Sequence, residues 1–186
     1  MLIYIVVNDK LCLMKIVNIV ATVEMEKPFD LEEILSKLPN VERAHHWVKS
    51  KIPPYNKYTA FYGSGKFLIT GAKSEEELAE VANNVVSYIQ KYGVDNNIRN
   101  ININNRVYMD QLDFEVDLEK LIVELDDFDA SYEPEQFPGM NFKDDYGLTY
   151  LLFGSGKITI TGVKSLDGFE DHVNEFKDLI REKSNI

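Results

Sequence analysis

One stretch of this chain occurs twice. "FYGSGKFLITGAKS" (Phe61–Ser74) returns as "LFGSGKITITGVKS" (Leu152–Ser165), 91 positions later. A second pair, "FDLEEIL" (Phe29–Leu35) and "VDLEKLI" (Val116–Ile122), is separated by 87. The difference between 91 and 87 is a net insertion of four residues in the second copy. Self-similarity at this scale means one supersecondary unit made twice. The reading divides the chain into an N-terminal extension (1–14), a first repeat (15–92), a linker containing "GVDNN" (93–98) and a second repeat (99–186).

The duplicated GSGK has the look of a phosphate-binding loop, and the full pattern excludes it. That loop needs a glycine five residues before the Gly-Lys and a Ser or Thr after it. Ala60 and Phe67 occupy those places. Strand-forming runs flank the motif ("TAFY" before, "FLIT" after), and glycines supply the positive φ of a tight turn. GSGK therefore reads as a hairpin turn.

Each copy has the same order of elements. An alternating run opens it ("KIVNIVATV", "NININNRVYM"), a short amphipathic helix follows ("DLEEILSKL", "DLEKLIVEL"), then several strands and a long helix. The first long helix is capped by Ser74 with Glu77 and ended by Gly93. Its apolar stripe is Leu78, Val81, Ala82, Val85, Val86 and Ile89. The second, near Leu166 to Lys183, has Phe169, Val173, Phe176 and Ile180. The expectation is an α+β fold: two pseudo-symmetric antiparallel sheets, each with one face under its long helix and the other open. On the open face alternation places Lys66, Leu68 and Thr70, Lys157, Thr159 and Thr161, and Asn18, Val20 and Thr22. Amides, hydroxyls and modest apolar groups suit contact with a partly apolar surface.

Composition narrows the function. Of 186 residues 45% are hydrophobic, enough for a sizeable core, and the net charge is −11. From Lys15 to Tyr92 there are 10 basic and 10 acidic residues; from Arg99 to Ile186 there are 9 and 19. The acidic half argues against wide wrapping of phosphate there. The single cysteine, Cys12, excludes an internal disulfide, fits a reducing cytosol and reads as a small buried apolar group. No apolar run reaches the ~20 residues of a membrane helix. The opening "MLIYIVVNDKLCLMK" lacks a signal-peptide pattern; it is either an extra edge strand or a start-site artefact, since Met14 opens a second possible start. His45, His46 and His172 are the only histidines; the adjacent pair cannot both point into one site from a strand, and no carboxylate stands beside that pair at metal-ligand spacing. Asp126/Asp127 and Asp144/Asp145 read as solvated loop carboxylates. No catalytic constellation, metal site or cofactor site emerges.

"YEPEQFPG" (Tyr132–Gly139), the doubled SGK…TG·KS and the opening "NIVAT" resemble the TATA-box-binding proteins of archaea and eukaryotes. The resemblance covers nearly the whole chain after Met14. It implies a curved ten-stranded antiparallel saddle with four helices on its convex face. The concave face would lie on the A/T-rich minor groove of double-stranded DNA, which offers acceptors and lacks the guanine amino group. The resemblance places Asn18 and Asn105 as central donors, with Val20, Thr22, Leu68, Thr70, Val107, Leu151, Thr159 and Thr161 lining the groove. Phe137 and Phe153 match a pair of aromatic wedges; in the first repeat Trp47 and Tyr62 could replace that pair, Trp47 being either a wedge or a residue packed on the sheet edge. Lys66, Lys73, Lys143, Lys157 and Lys164, with Ser64 and Ser155, match positions that contact the DNA backbone. Glu133 and Glu135 match a docking site for transcription factor B, through which RNA polymerase is engaged indirectly.

The implied protein is a monomer on DNA, cytoplasmic and nucleoid-associated, without a membrane segment. The alternative is a diverged paralogue that binds DNA weakly and acts as a protein-interaction module. Departures from the family pattern favour that alternative. The first repeat has "VERAHHWVKSKIPPY" in place of the EPEQFPG hairpin. Thr159 and Lys143 replace an aliphatic residue and an arginine. Arg106 and Tyr108 stand where small apolar groups should face the helices, so either the strand register slips by one or the core is rebuilt there.

Overall fold

The computed structural model describes residues 3–7 and 10–185, with side chains from Met14 onward; Cys12 and the segment around Asp9 thus lie outside the described side chains. The chain divides into two compact units. The first is Val17–Asn105; the second comprises the chain up to Ile16 and from Arg106 onward.

The first unit is an antiparallel sheet in the order β3-β4-β5-β6-β2, from β3 (Val41–Ala44), β4 (Trp47–Ile52), β5 (Lys57–Tyr62), β6 (Lys66–Ala72) and the C-terminal part of β2 (Lys10–Met25). Helices α1 (Leu31–Lys37) and α2 (Glu75–Lys91) pack on one side. The second unit repeats the plan as β7-β11-β10-β9-β8, from β7 (Ile98–Gln111), β8 (Asp129–Ser131), β9 (Gly139–Lys143), β10 (Thr149–Phe153) and β11 (Lys157–Val163), with α3 (Leu118–Glu124) and α4 (Phe169–Lys183). β7 starts in the first unit and ends in the second. Among the described residues these are the expected ten strands and four helices. One strand is added: β1 (Ile3–Val7) pairs with the start of β2, the edge-strand reading of the N-terminal segment.

The duplicated motif shows its purpose in both units. Gly65 N donates to Tyr62 O at 3.1 Å and Gly156 N to Phe153 O at 2.8 Å, closing tight turns with φ of +78° and +79° at the two glycines. Each glycine carbonyl then accepts from the end of the opening strand, Met25 N and Leu112 N, both at 2.8 Å. A Cβ at Gly65 would stand 2.6 Å from Lys27 O, and one at Gly156 would collide with Phe114 O. Gly65→Ala is therefore expected to destabilise the fold by ~1–3 kcal/mol, read as a lower urea midpoint, since left-handed strain and backbone contact act together.

The "TG·KS" glycines are bulges. Between β2 and β6 the register passes from Ile19↔Ala72 to Val20↔Thr70, leaving Gly71 (φ +105°) unpaired. Gly162 (φ +88°) lies in the matching irregularity between β11 and β7. The bulges reverse which side of the strand leads into the helix.

Helix ends follow the expected chemistry. Ser74 Oγ accepts from Glu77 N at 3.0 Å, and the Glu77 carboxylate accepts from Lys73 N at 2.7 Å. Val94 N to Ile89 O and Gly93 N to Gln90 O close α2. The buried stripe of α2 is Leu78, Val81, Ala82, Val85 and Ile89, with Val86 half-buried; α4 buries all four expected residues.

The register question on β7 resolves as a rebuilt core. Arg106, Tyr108 and Asp110 are buried, while Val107 and Met109 are half-buried on the opposite face, so no slip has occurred. Tyr108 packs on Phe169 with ring centroids 4.7 Å apart. Arg106 donates to Lys164 O at 3.2 Å, and Asp110 is ion-paired with Lys177 of α4, the two side chains 1% and 13% exposed.

Asp145 is exposed, as expected of a solvated loop carboxylate, and Asp144 departs from that expectation. Asp144 is a turn anchor: its Oδ1 accepts from Tyr146 N and Leu148 N (3.0 and 2.8 Å) and its Oδ2 from the Tyr150 hydroxyl at 3.0 Å. Burial, then the charge of Asp144 and its hydrogen bond, hold the Tyr150 phenol far above its ordinary range.

Candidate nucleic-acid interface

In each unit the face opposite the helices is built by alternation. On β6 and β11 the burial pattern is the same: Phe67 and Ile69, like Ile158 and Ile160, are buried, while Leu68, Thr70, Thr159 and Thr161 are half-buried and Lys66 and Lys157 exposed. On β2, Ile19, Ala21 and Val23 go inward, leaving Asn18, Val20 and Thr22 on the uncovered side. Ladder partners share a face, so Val20 stands opposite Thr70, Thr22 opposite Leu68, and Leu151 opposite Thr159. Ser64 and Ser155 lie exposed in the turns, and Lys73, Lys143 and Lys164 are exposed. Asn105 and Val107 are half-buried on β7. Every residue singled out in the sequence for DNA contact is thus exposed or half-buried.

Asn18 is oriented by the bulge. Its Oδ1 accepts from Gly71 N at 2.8 Å and from Thr70 Oγ1 at 3.2 Å. With the carbonyl end fastened to the sheet, the amide NH₂ is the end left to donate. The bulge glycine and the asparagine therefore form one device, which explains why the motif needs both.

Two lysines of the first face carry partners. Lys66 pairs with Glu24 at 2.7 Å and Lys49 with Glu42 at 3.2 Å. The hydrogen bond and charge of Lys66 hold the Glu24 carboxyl below its ordinary value. In the second unit the residue opposite Lys157 is Gln111, whose Nε2 donates to Ser155 O at 2.6 Å. The two repeats thus differ by one charge at an equivalent position, Glu24 against Gln111.

At the tips, Phe137 and Phe153 meet with centroids 5.9 Å apart. Phe153 is the ladder partner of Gly139, and a Cβ on Gly139 would stand 2.8 Å from Phe137 Cε1. Phe137 therefore lies across the strand because Gly139 lacks a side chain. In the first unit the ladder partner of Tyr62 is Trp47, rings 6.1 Å apart. In ladder position Trp47 corresponds to Gly139 and Tyr62 to Phe153, and His45 precedes Trp47 by two residues as Phe137 precedes Gly139.

Sequence reasoning also missed Lys49, Lys51 and Tyr58, which share the first face, and Asn141 and Thr149 on the second. The alternation in "WVKSKI", with Val48, Ser50 and Ile52 buried, was the signal for the two lysines. Glu133 and Glu135 are exposed in the turn between β8 and β9, which is closed by Phe137 N donating to Glu133 O at 2.9 Å. Among the described residues no cluster of His, Cys, Asp or Glu is arranged to hold a metal, and no helix is long and apolar enough to cross a membrane.

A two-repeat α+β protein with an open, lysine-bearing face on each repeat is the class that these features define. The family model for "Transcription factor TFIID (or TATA-binding protein, TBP)" matches residues 13–92 and 100–183. The TATA-box-binding protein of Pyrobaculum aerophilum is 34% identical over 173 residues, 90% of this chain and 86% of that protein. That of Methanocaldococcus jannaschii is 33% identical over 178 residues, 92% and 96% of the two chains. The solved Methanococcus jannaschii TBP superposes with a TM-score of 0.80 at 31% identity, covering 91% of this chain and 98% of that one. The chain belongs to the TATA-box-binding protein family and is a transcription factor of that type.

Proposed function

We propose that this protein is a general transcription factor of archaeal type, which binds and bends A/T-rich promoter DNA through the minor groove and recruits transcription factor B through Glu133 and Glu135. The observation that carries the reading is the pinned Asn18. An amide held by its carbonyl end presents donors, and an A/T minor groove floor presents only acceptors. Val20, Leu68 and Leu151, with Thr22, Thr70, Thr159 and Thr161, would lie on a widened groove floor. A guanine amino group would clash there. Asn105 and Val107 would do the same from β7. Lys66, Lys73, Lys143, Lys157 and Lys164, with Ser64 and Ser155, would hold the sugar–phosphate rim, and Phe137 and Phe153 would open a base step. RNA polymerase is engaged indirectly, and the protein acts as a monomer in the nucleoid.

The test is a titration of the purified protein on an A/T-rich and a G/C-rich duplex across a salt series, with and without transcription factor B. Preference for the A/T duplex, loss of end-to-end distance in the DNA and a tighter ternary complex are expected. Equal, weak and salt-erased binding to both duplexes would instead point to the second reading, a paralogue acting as a protein-interaction module. The ion pairs Lys66–Glu24 and Lys49–Glu42 favour that second reading, because each occupies a lysine that DNA would need.

The same pairs give a sharper prediction. Glu24→Gln copies the second repeat and releases Lys66. Affinity is expected to rise several-fold, and the slope of log K against log salt to steepen by up to ~0.9, one phosphate contact. An unchanged slope would show that Lys66 does not reach the DNA.

A further inference from the structure

The two units do not carry equivalent tips. In the second, Gly139 leaves room for the Phe137 ring to fold over its strand onto Leu151 and Phe153, and Phe137 remains 43% exposed. The result is an apolar pair with no hydrogen-bonding atom. In the first, Trp47 stands on the strand itself, so the residue at the Phe137 position cannot fold over in the same way. That residue is His45, exposed at φ +33°, its ring 6.3 Å from Trp47 and 6.5 Å from His46. Both rings and the Tyr62 phenol carry polar hydrogens. The Trp47 Nε1–H is shielded from water and meets no acceptor.

A ring driven between stacked bases is surrounded by π faces, which give an N–H no acceptor. The groove floor, in contrast, is a row of acceptors. Resting on the DNA-binding reading above, we infer that only Phe137 and Phe153 act as a wedge. The first-unit tip, where the Trp47 indole fills the strand position of Gly139 and His45 and Tyr62 carry the polar groups, lies along the groove without unstacking the bases beneath it. The chain consequently seats on an A/T-rich duplex in one orientation, with its sharp distortion at one end. Trp47 and His45 set that orientation.

The experiment uses the full chain and a set of A/T-rich duplexes with 2-aminopurine placed at either end of the site. Fluorescence of the base analogue reports unstacking, and anisotropy of a remote dye reports binding. The wild-type protein is expected to raise the signal about twofold or more at one end only, since one step alone is opened. Phe137→Ala should abolish that signal. The double variant His45→Phe with Trp47→Gly, which rebuilds the second tip in the first unit, should create a signal at the silent end. Tyr62→Phe, which keeps the ring and removes the hydroxyl, should weaken binding without creating one. Equal unstacking at both ends by the wild-type protein overturns this inference while leaving the proposed function intact. So does a double variant that binds and leaves the second end silent. No anisotropy change on any duplex overturns the DNA-binding reading, and this inference with it.

Discussion

Replacing Asp110 by alanine is expected to lower the unfolding free energy by ~3–5 kcal/mol, the cost of leaving a buried charge without its partner. The Lys177 side chain is 13% exposed, and its ammonium is ion-paired with Asp110 beneath α4. Asp110 Oδ1 also accepts from Gln111 N at 2.8 Å, so alanine removes a backbone contact too. The first repeat shows the apolar solution. Offsets of 87 and 91 carry Asp110 onto Val23 and Lys177 onto Val86. Asp110→Val with Lys177→Val should therefore lose far less than Asp110→Ala, and such replacements are often neutral or stabilising. Urea titrations of the three proteins decide it. If the double variant falls as far as the single one, the pair holds the fold by some means other than charge compensation.

The second large effect is on DNA. Phe137→Ala combined with Phe153→Ala removes both rings of the apolar tip. Buried aromatic anchors of this kind are worth about 2 kcal/mol or more, so affinity for an A/T-rich duplex is expected to fall ~30-fold. Bending, followed by energy transfer between the duplex ends, should fall with it. The variant should remain folded, because Phe137 is 43% exposed and Phe153 half-buried on the uncovered face. Full bending by the variant would contradict the wedge role.

Much of this is legible in the sequence. The repeat gave the element order, the GSG turns were readable from their glycines, and the Ser74–Glu77 cap stood where spacing put it. Alternation alone sorted Phe67 and Ile69 from Leu68 and Thr70, because a half-buried strand obeys a period of two. What the sequence did not show depends on contacts distant along the chain. The partnership of Asn18 with Gly71 spans 53 residues and rests on a register shift. The correspondence of His45 with Phe137 is reached only by counting back from the ladder pairs Trp47–Tyr62 and Gly139–Phe153, since the two hairpins differ in length and share no motif. Arg106 and Tyr108 left a register slip and a rebuilt core both open in the sequence, because a buried charge is improbable until its partner is known. Asp144 looked solvated because side-chain-to-backbone capping in a turn leaves little trace in composition.

The Asp110–Lys177 pair also bears on the gene. Tandem copies are prone to unequal crossing-over, which shuffles segments between them. A recombinant that joined the helix of one copy to the sheet of the other would set a carboxylate against Val86, or an ammonium against Val23. Each such hybrid would bury a charge without its partner and is expected to be less stable than the parent chain.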